Sequence, residues 1–344
     1  MKTYLQYWID MMRCAVKGSA RYYGWLGFLG LLVAMGLATY LKQLEHGLVV
    51  TNLSDQVSWG VYIANFTFIV GIAAAAVLLV IPTYIYHRAD IKKVVLIAEL
   101  MAASAILMCM LFVTVDLGRP ERFIHLLPFI GKLNLPTSML AWDVVVLSGY
   151  LVLNLHVPGY LLFQGYRGKE PAKWLYLPFV YLSIFWAVSI HTVTAFLYGG
   201  FGGRPFWNTA IMAPRFLVSA FAAGPALLII VFWAINRYTD VSIEGSIFKY
   251  LRRIVSIALP INYFLLACEL FKVFCIVGVW IEKGMGLIIP GQIPSPIGDL
   301  VEYRPSAAEF LISLGIWALG ALVFTVMAKV ALAIQFGSLR AKES

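Results

Sequence analysis

Eight apolar stretches divide this chain, each long enough to cross a bilayer: 22–41, 58–86, 94–115, 141–163, 175–198, 215–236, 254–281 and 308–335. A helix needs about 20 apolar residues to span the hydrocarbon layer. Water is absent there, so every peptide group must pair within its own segment, and runs of this kind fold as helices. The connections between them are too short to hold a separate soluble domain. The expected fold class is therefore all-α: one integral membrane bundle of eight transmembrane helices, a single domain over residues 1–344. A mean hydropathy of +0.85 with only 12% charged residues excludes a soluble globular class.

The net charge of +9 would suit a nucleic-acid binder, but its placement argues against one. With loops assigned alternately to two sides, sixteen of the 26 lysines and arginines fall on the side holding both termini. Eight fall opposite, including Arg119, Arg122, Arg204 and Arg215, and Lys272 and Lys329 lie within spans. Positive residues stay on the cytoplasmic side, so both termini are expected in the cytoplasm and the protein in the cytoplasmic (inner) membrane. Residues 1–21 are basic and amphipathic, and the span after them is too long for the core of a cleavable signal peptide. The four cysteines, Cys14, Cys109, Cys268 and Cys275, form no CxxC pair. They read as small apolar residues, and no iron–sulfur, zinc or covalent haem site is expected.

The polar residues left inside the apolar runs are the candidates for chemistry, because ionisable groups in a membrane are costly. Asp116-Leu117-Gly118-Arg119-Pro120 closes the third run on the outward side. Asp143 opens the fourth run. Trp59, Tyr62 and Asn65 open the second, with 62 and 65 on one face. His191 lies about 10 Å below the end of the fifth, and Thr194 and Tyr198 follow on its face. Plainer readings stand beside each: Asp116 pairs with Arg119 or caps its helix, Asp143 is an N-terminal helix acid, and the tyrosines are interface aromatics. A deeper set comprises Glu269 and Lys272, one turn apart near mid-membrane, and Glu99 and His156 in the inner third. These read either as a staggered proton route or as structural polars. Lys329, near the inner end of the last run, is expected to snorkel to the interface. Gly60, Ala64, Thr67, Gly71 and Ala75 form a close-packing stripe. Leu-Ile-Ala-Glu-Leu at 96–100 and Leu-Ala-Cys-Glu-Leu at 266–270 form a faint internal echo.

An acid, a histidine and tyrosines just inside a membrane suit a quinone. Its head group needs a hydrogen-bonding group at each oxygen, and its chemistry moves protons, for which histidine beside a carboxylate is apt. A secondary transporter is the alternative class. A haem b anchor needs paired histidines at one depth, and the estimated depths of His156 and His191 do not match.

The chain resembles the NrfD/PsrC family of membrane subunits in polysulfide-reductase-like respiratory complexes. The resemblance rests on Trp59-Gly60-Val61-Tyr62-Ile63-Ala64-Asn65-Phe66, the Asp116 to Pro120 motif, Ser138-Met139-Leu140-Ala141-Trp142-Asp143, His191-Thr192-Val193-Thr194-Ala195-Phe196 and Arg204-Pro205-Phe206-Trp207-Asn208. Thr51-Asn52-Leu53 through Val70, and residues 215–221, look most like the DsrP branch linked to dissimilatory sulfur metabolism. That branch commonly has ten spans, and eight is nearer PsrC and NrfD. The resemblance implies a quinone-reactive subunit, with menaquinone favoured, that carries no haem or iron–sulfur cluster itself. It also implies an extracytoplasmic ferredoxin-like iron–sulfur partner on the outer loops, within a larger redox complex. On this reading His191 with Tyr62 or Asn65 holds the quinone oxygens, beside Trp59, Thr194 and Tyr198. Asp116 and Asp143 relay protons, and Arg119 holds the carboxylates and the loop.

Overall fold

The structure, a computed structural model, describes residues 2–74, 76–92, 94–126, 130–201, 207, 209–267, 303–337 and 339. Among them every regular element is helical: α1 (Lys2–Val16), α2 (Ala20–His46), α3 (Val61–Ala74), α4 (Val77–Val80), α5 (Ala89–Lys92), α6 (Val95–Asp116), α7 (Met139–Tyr166), α8 (Lys173–Gly199), α9 (Met212–Tyr238), α10 (Gly245–Ala267) and α11 (Ala307–Gln335). Seven described helical stretches are long and apolar enough to cross a membrane: Ala20–Val50, Val61–Ile85, Val95–Asp116, Met139–Tyr166, Lys173–Gly199, Met212–Tyr238 and Ala307–Gln335. They match seven of the eight expected spans, six within a few residues at both ends, while the first runs on to Val50, nine residues past its expected end. The remaining span, expected at 254–281, is described only as far as Ala267 within α10, and its second half lies outside the described residues.

The helix starts carry local signals. Ser19 caps α2 by accepting a hydrogen bond from the Tyr22 amide, and Ser138 caps α7 through the Ala141 amide. Ser306 and Glu309 form a reciprocal capping box at the start of α11. The second span ends differently from a continuous helix. From Ile81 to Ile85 it widens into a π turn that contains Pro82, whose ring and missing amide hydrogen cannot continue the regular ladder.

α3 and α6 form the centre of the bundle. Every residue of α3 is buried, and α6 is buried along most of its length. α3 packs against α6, α8, α9 and α11; α6 also meets α7 and α11; α7 packs on α8, α8 on α9, and α9 on α10. Ala64, Thr67 and Gly71 of the small-residue stripe thus belong to a helix buried along its whole length. α2 lies at the rim, burying only Leu29, Gly36 and Gln43, a seven-residue spacing that makes one narrow seam against α11. At the centre of that seam a Cβ on Gly36 would lie 2.6 Å from the Gly315 Cα, so only glycine permits this approach.

Lys329 reaches along the bundle to the segment that joins α1 and α2. Its Nζ donates to the Lys17 carbonyl and sits 3.8 Å over the Tyr22 ring. It closes the corner between α1 and α2, where free helix-end carbonyls need donors.

Candidate functional site

Near the Asp116 end of the bundle the polar residues gather into two clusters on opposite flanks of α3. The first joins α7 to α8. Asp143, in the second turn of α7, is 2% exposed, and its Oδ1 accepts a hydrogen bond of 3.1 Å from Thr194 Oγ1. One turn earlier on α8, His191 is likewise buried and its Nδ1 lies 3.2 Å from the Ala187 carbonyl. A carbonyl can only accept, so Nδ1 carries the proton of this hydrogen bond, and Nε2 is buried. One turn further on, fully buried Tyr198 hydrogen-bonds Thr67 of α3. Trp59 stacks on Trp207 at 5.3 Å, and the Tyr198 ring meets both edge-on at 5.1 and 5.2 Å. Phe201 and Phe216 complete this aromatic box.

The second cluster faces α2 and α11. The Tyr62 hydroxyl donates to Gln43 Oε1 at 2.8 Å, and Gln43 Nε2 donates to the Val115 carbonyl at 2.7 Å. Asp116 follows Val115, and its Oδ1 is shielded with no hydrogen-bond partner among the described residues. It lies within electrostatic reach of Glu309 and of one tyrosine from each cluster, Tyr62 and Tyr198. Beside it opens a cleft of about 330 Å³, lined by Gln43 to Leu48 and Leu117 to Glu121.

Glu309 anchors this flank. It is fully buried, accepts from the Tyr303 hydroxyl at 2.5 Å, and accepts from the Asn52 and Ser306 amides at 2.9 Å. The Tyr303 hydroxyl in turn accepts from the Val61 amide at 3.0 Å, which caps the first turn of α3. Burial raises the Tyr303 pKa above its ordinary range, and the Glu309 carboxylate adds to the effect. A Cβ on Gly60 would strike the Tyr303 hydroxyl, so this approach also needs glycine.

Several expected site residues hold places that the sequence reading did not anticipate. Asn65 is tied to α11, its Oδ1 accepting from Trp317 Nε1 at 3.0 Å and its Nδ2 donating to the Val61 carbonyl. Tyr62 turns toward α2, away from the His191 flank. Arg119 does not hold Asp116 or Asp143: its guanidinium lies 3.6 Å from Glu121, and both side chains are exposed. Its loop runs outward from the end of α6, and water is the better environment for a guanidinium. Arg215, counted above as an outer-side charge, is buried in the first turn of α9.

The deeper set separates as well. Glu99 is buried in α6, and its Oε2 has no hydrogen-bond partner among the described residues. His156 lies on the outer surface of α7, where its Nε2 donates to the Leu175 carbonyl at 3.1 Å and its ring meets Phe179 edge-on. It ties α7 to α8 and does not face Glu99. His191 is interior and His156 exterior, so the two present no facing pair for a haem. Glu269 and Lys272 lie outside the described residues, and so does the second half of the internal echo.

Sequence reading missed Gln43, Glu309 and Trp317. The capping pattern Ser306-x-x-Glu309 was legible, but nothing local indicated that its carboxylate would also serve Tyr303 and Asn52.

Bilayer-length helices closed around a central pair, with shielded polar groups near one end, define a multi-pass integral membrane protein. The chain belongs to the family described as "Polysulphide reductase, NrfD", whose profile matches residues 49–290. It is 28% identical over 262 residues to a putative dimethyl sulfoxide reductase membrane subunit of Halobacterium salinarum, covering 72% of this chain and 59% of that protein. It is 25% identical over 248 residues to the "Hdr-like menaquinol oxidoreductase integral membrane subunit" of Archaeoglobus fulgidus, covering 72% and 60%. It is 23% identical over 275 residues to a selenate reductase subunit of Mesobacillus selenatarsenatis, covering 70% and 63%. The matches thus span less than two thirds of each relative. α2 and α11 lie outside the profile match, yet supply Gln43, Glu309 and Trp317 to the second cluster.

Proposed function

We infer that this protein is the quinone-interacting membrane subunit of a redox complex. It exchanges electrons between a quinone pool and an extracytoplasmic ferredoxin-like iron–sulfur subunit docked over the loops that follow α6 and α8. The observation that carries the reading is the Asp143–Thr194 hydrogen bond with buried His191 one turn away. These side chains place a carboxylate, a hydroxyl and an imidazole together beneath one end of the bundle, a donor and acceptor set that fits a quinone head group. Membership of the NrfD family supports it, and the name of the Archaeoglobus relative supports menaquinone as the quinone. The charge bias supports a cytoplasmic location for both termini, which turns this layer outward, in the cytoplasmic membrane.

A bound quinol supplies two electrons and two protons on oxidation. His191 holds one quinone oxygen and receives a proton at Nε2, since Nδ1 is already occupied at Ala187. Asp143 orients Thr194 and stabilises the charged imidazole. Asp116, beside the cleft, takes the second proton toward water. Tyr62 and Asn65, held by Gln43 and Trp317, brace α3 behind the site, whose aromatic wall is Trp59 and Tyr198. The test is His191→Ala in the assembled complex. Quinol-dependent electron transfer should fall at least about 100-fold, as for loss of a general base, while the variant still copurifies with its partners. Turnover within twofold of wild type would overturn the assignment.

A further inference from the structure

α1 carries three distinct faces, and one of them packs against the end of α7. Its inward face holds Tyr7, which packs edge-on against Phe163 and Tyr166 at the end of α7, and Asp10, which accepts a 2.7 Å hydrogen bond from the Tyr166 hydroxyl. A second face carries Leu5, Trp8, Ile9, Met12 and Val16, all exposed, and Met12 and Val16 are about two-thirds exposed. At 100° per residue these positions fall within an arc of about 100°. The third face is polar, with Gln6 and Arg13, which both reach Asp10, and Lys17 follows just past the helix end.

The helix is also fixed in place. Its last carbonyls are each taken by a side chain: Ala15 by the Tyr22 hydroxyl at 2.8 Å, Val16 by the Tyr23 hydroxyl at 2.9 Å, and Lys17 by Lys329. The other end rests on the last turn of α7 through Tyr4 and Tyr7 on Phe163. A helix of 15 residues is about 22 Å long, too short to cross a bilayer. Its contacts run from the end of α7 to the start of α2, so it crosses the end of the bundle rather than passing through it.

We propose that α1 is an interfacial foot that lies on the lipid surface at the terminal side of the bundle. Its apolar face enters the acyl region, and Arg13, Lys17 and Arg21 meet anionic lipid headgroups. Two features argue for lipid as the occupant. The apolar face continues into the outer face of α2, where Trp25, Phe28 and Leu31 are exposed along a span that itself faces lipid. The polar face beside it is basic, as anionic headgroups require.

The experiment places a photoreactive benzoylphenylalanine at Leu5, at Met12 and, as control, at Gln6 of the full chain. Each variant is reconstituted in vesicles of phosphatidylethanolamine with phosphatidylglycerol, and separately irradiated in native membranes. Lipid adducts by mass spectrometry at 5 and 12, at least fivefold above those at 6, are expected in both. Equal labelling at all three positions, or crosslinks to protein in place of lipid in native membranes, would overturn the proposal. A triple variant R13Q/K17Q/R21Q should lose at least half of the phosphatidylglycerol adducts relative to phosphatidylethanolamine; an unchanged ratio would overturn the headgroup contact.

Discussion

Three carboxylates near one end of the bundle sit in three different environments. Glu309 is saturated with donors, Asp143 takes one from Thr194, and Asp116 keeps one oxygen shielded without a partner among the described residues. A carboxylate that holds a loop, a tyrosine and a helix start is a structural hub, and removing it leaves buried donors unsatisfied. Glu309→Ala is therefore expected to cost about 3 kcal/mol, read as a lower melting temperature in detergent, with Glu309→Gln nearer wild type. Asp143 and Thr194 belong to the proposed site instead. Thr194→Val keeps the shape and removes the hydroxyl, so quinol turnover should fall about tenfold, equivalent to ~1.4 kcal/mol, with little change in melting temperature. A stability loss without a turnover loss would make this pair structural. Sequence spacing placed His191, Thr194 and Tyr198 on one face of α8, and all three are buried there. It could not give their partners, because helical spacing orders residues along one helix and carries no information about which helix lies opposite. For the same reason the turn of Tyr62 toward Gln43 was not legible.

At the scale of elements, the helices follow from local pattern and the crossings follow from shape. α2 and α11 meet where Gly36 and Gly315 bring their backbones together. Gly36→Ala should cost about 1–3 kcal/mol through overpacking. Gly27→Ala and Gly30→Ala, whose added Cβ atoms meet open space, should be neutral or slightly stabilising in the same thermal assay. The short connection between the second and third spans has its own charge pair. Arg88 Nε donates to Asp90 at 3.1 Å, which holds the Asp90 carboxyl below its usual pKa, and Arg88 also lies over the Tyr250 ring of α10. A carboxyl depressed by folding stabilises above its unfolded value, and that stability is lost as pH falls through the folded value. Asp90→Asn should thus flatten the acid limb of a melting-temperature profile, by a small amount because the pair is partly solvated.

For the whole molecule, the central question is whether electron transfer is coupled to charge movement. Glu99 lies in the core of α6, and Glu269 and Lys272 complete the proposed route in sequence. His156 sits on the exterior and plays no part in this version of the route. In vesicles containing the assembled complex, Glu269→Gln and Glu99→Gln should lower the membrane potential generated per electron while quinol oxidation continues. An unchanged potential per electron would refute the route. The second cluster has a further consequence. α2 and α11 lie beyond the matched family region, yet they clamp α3 through Gln43, Glu309 and Trp317.

Sequence alone determined that this chain enters a membrane as a set of apolar helices, where most of them begin within a few residues, and which polar residues each helix carries on which face. Lipid allows the backbone no other pairing, so a run of apolar residues has one outcome. The tertiary structure decided that α3 and α6 occupy the centre, and that the polar layer near the Asp116 end divides into an Asp143–Thr194 flank and a Tyr62–Gln43 flank. Those outcomes depend on close packing between helices whose surfaces are chemically alike. In such surfaces the choice of neighbour rests on shape, on a glycine against a glycine and a tyrosine against a glutamine, and shape exists only once the helices are assembled.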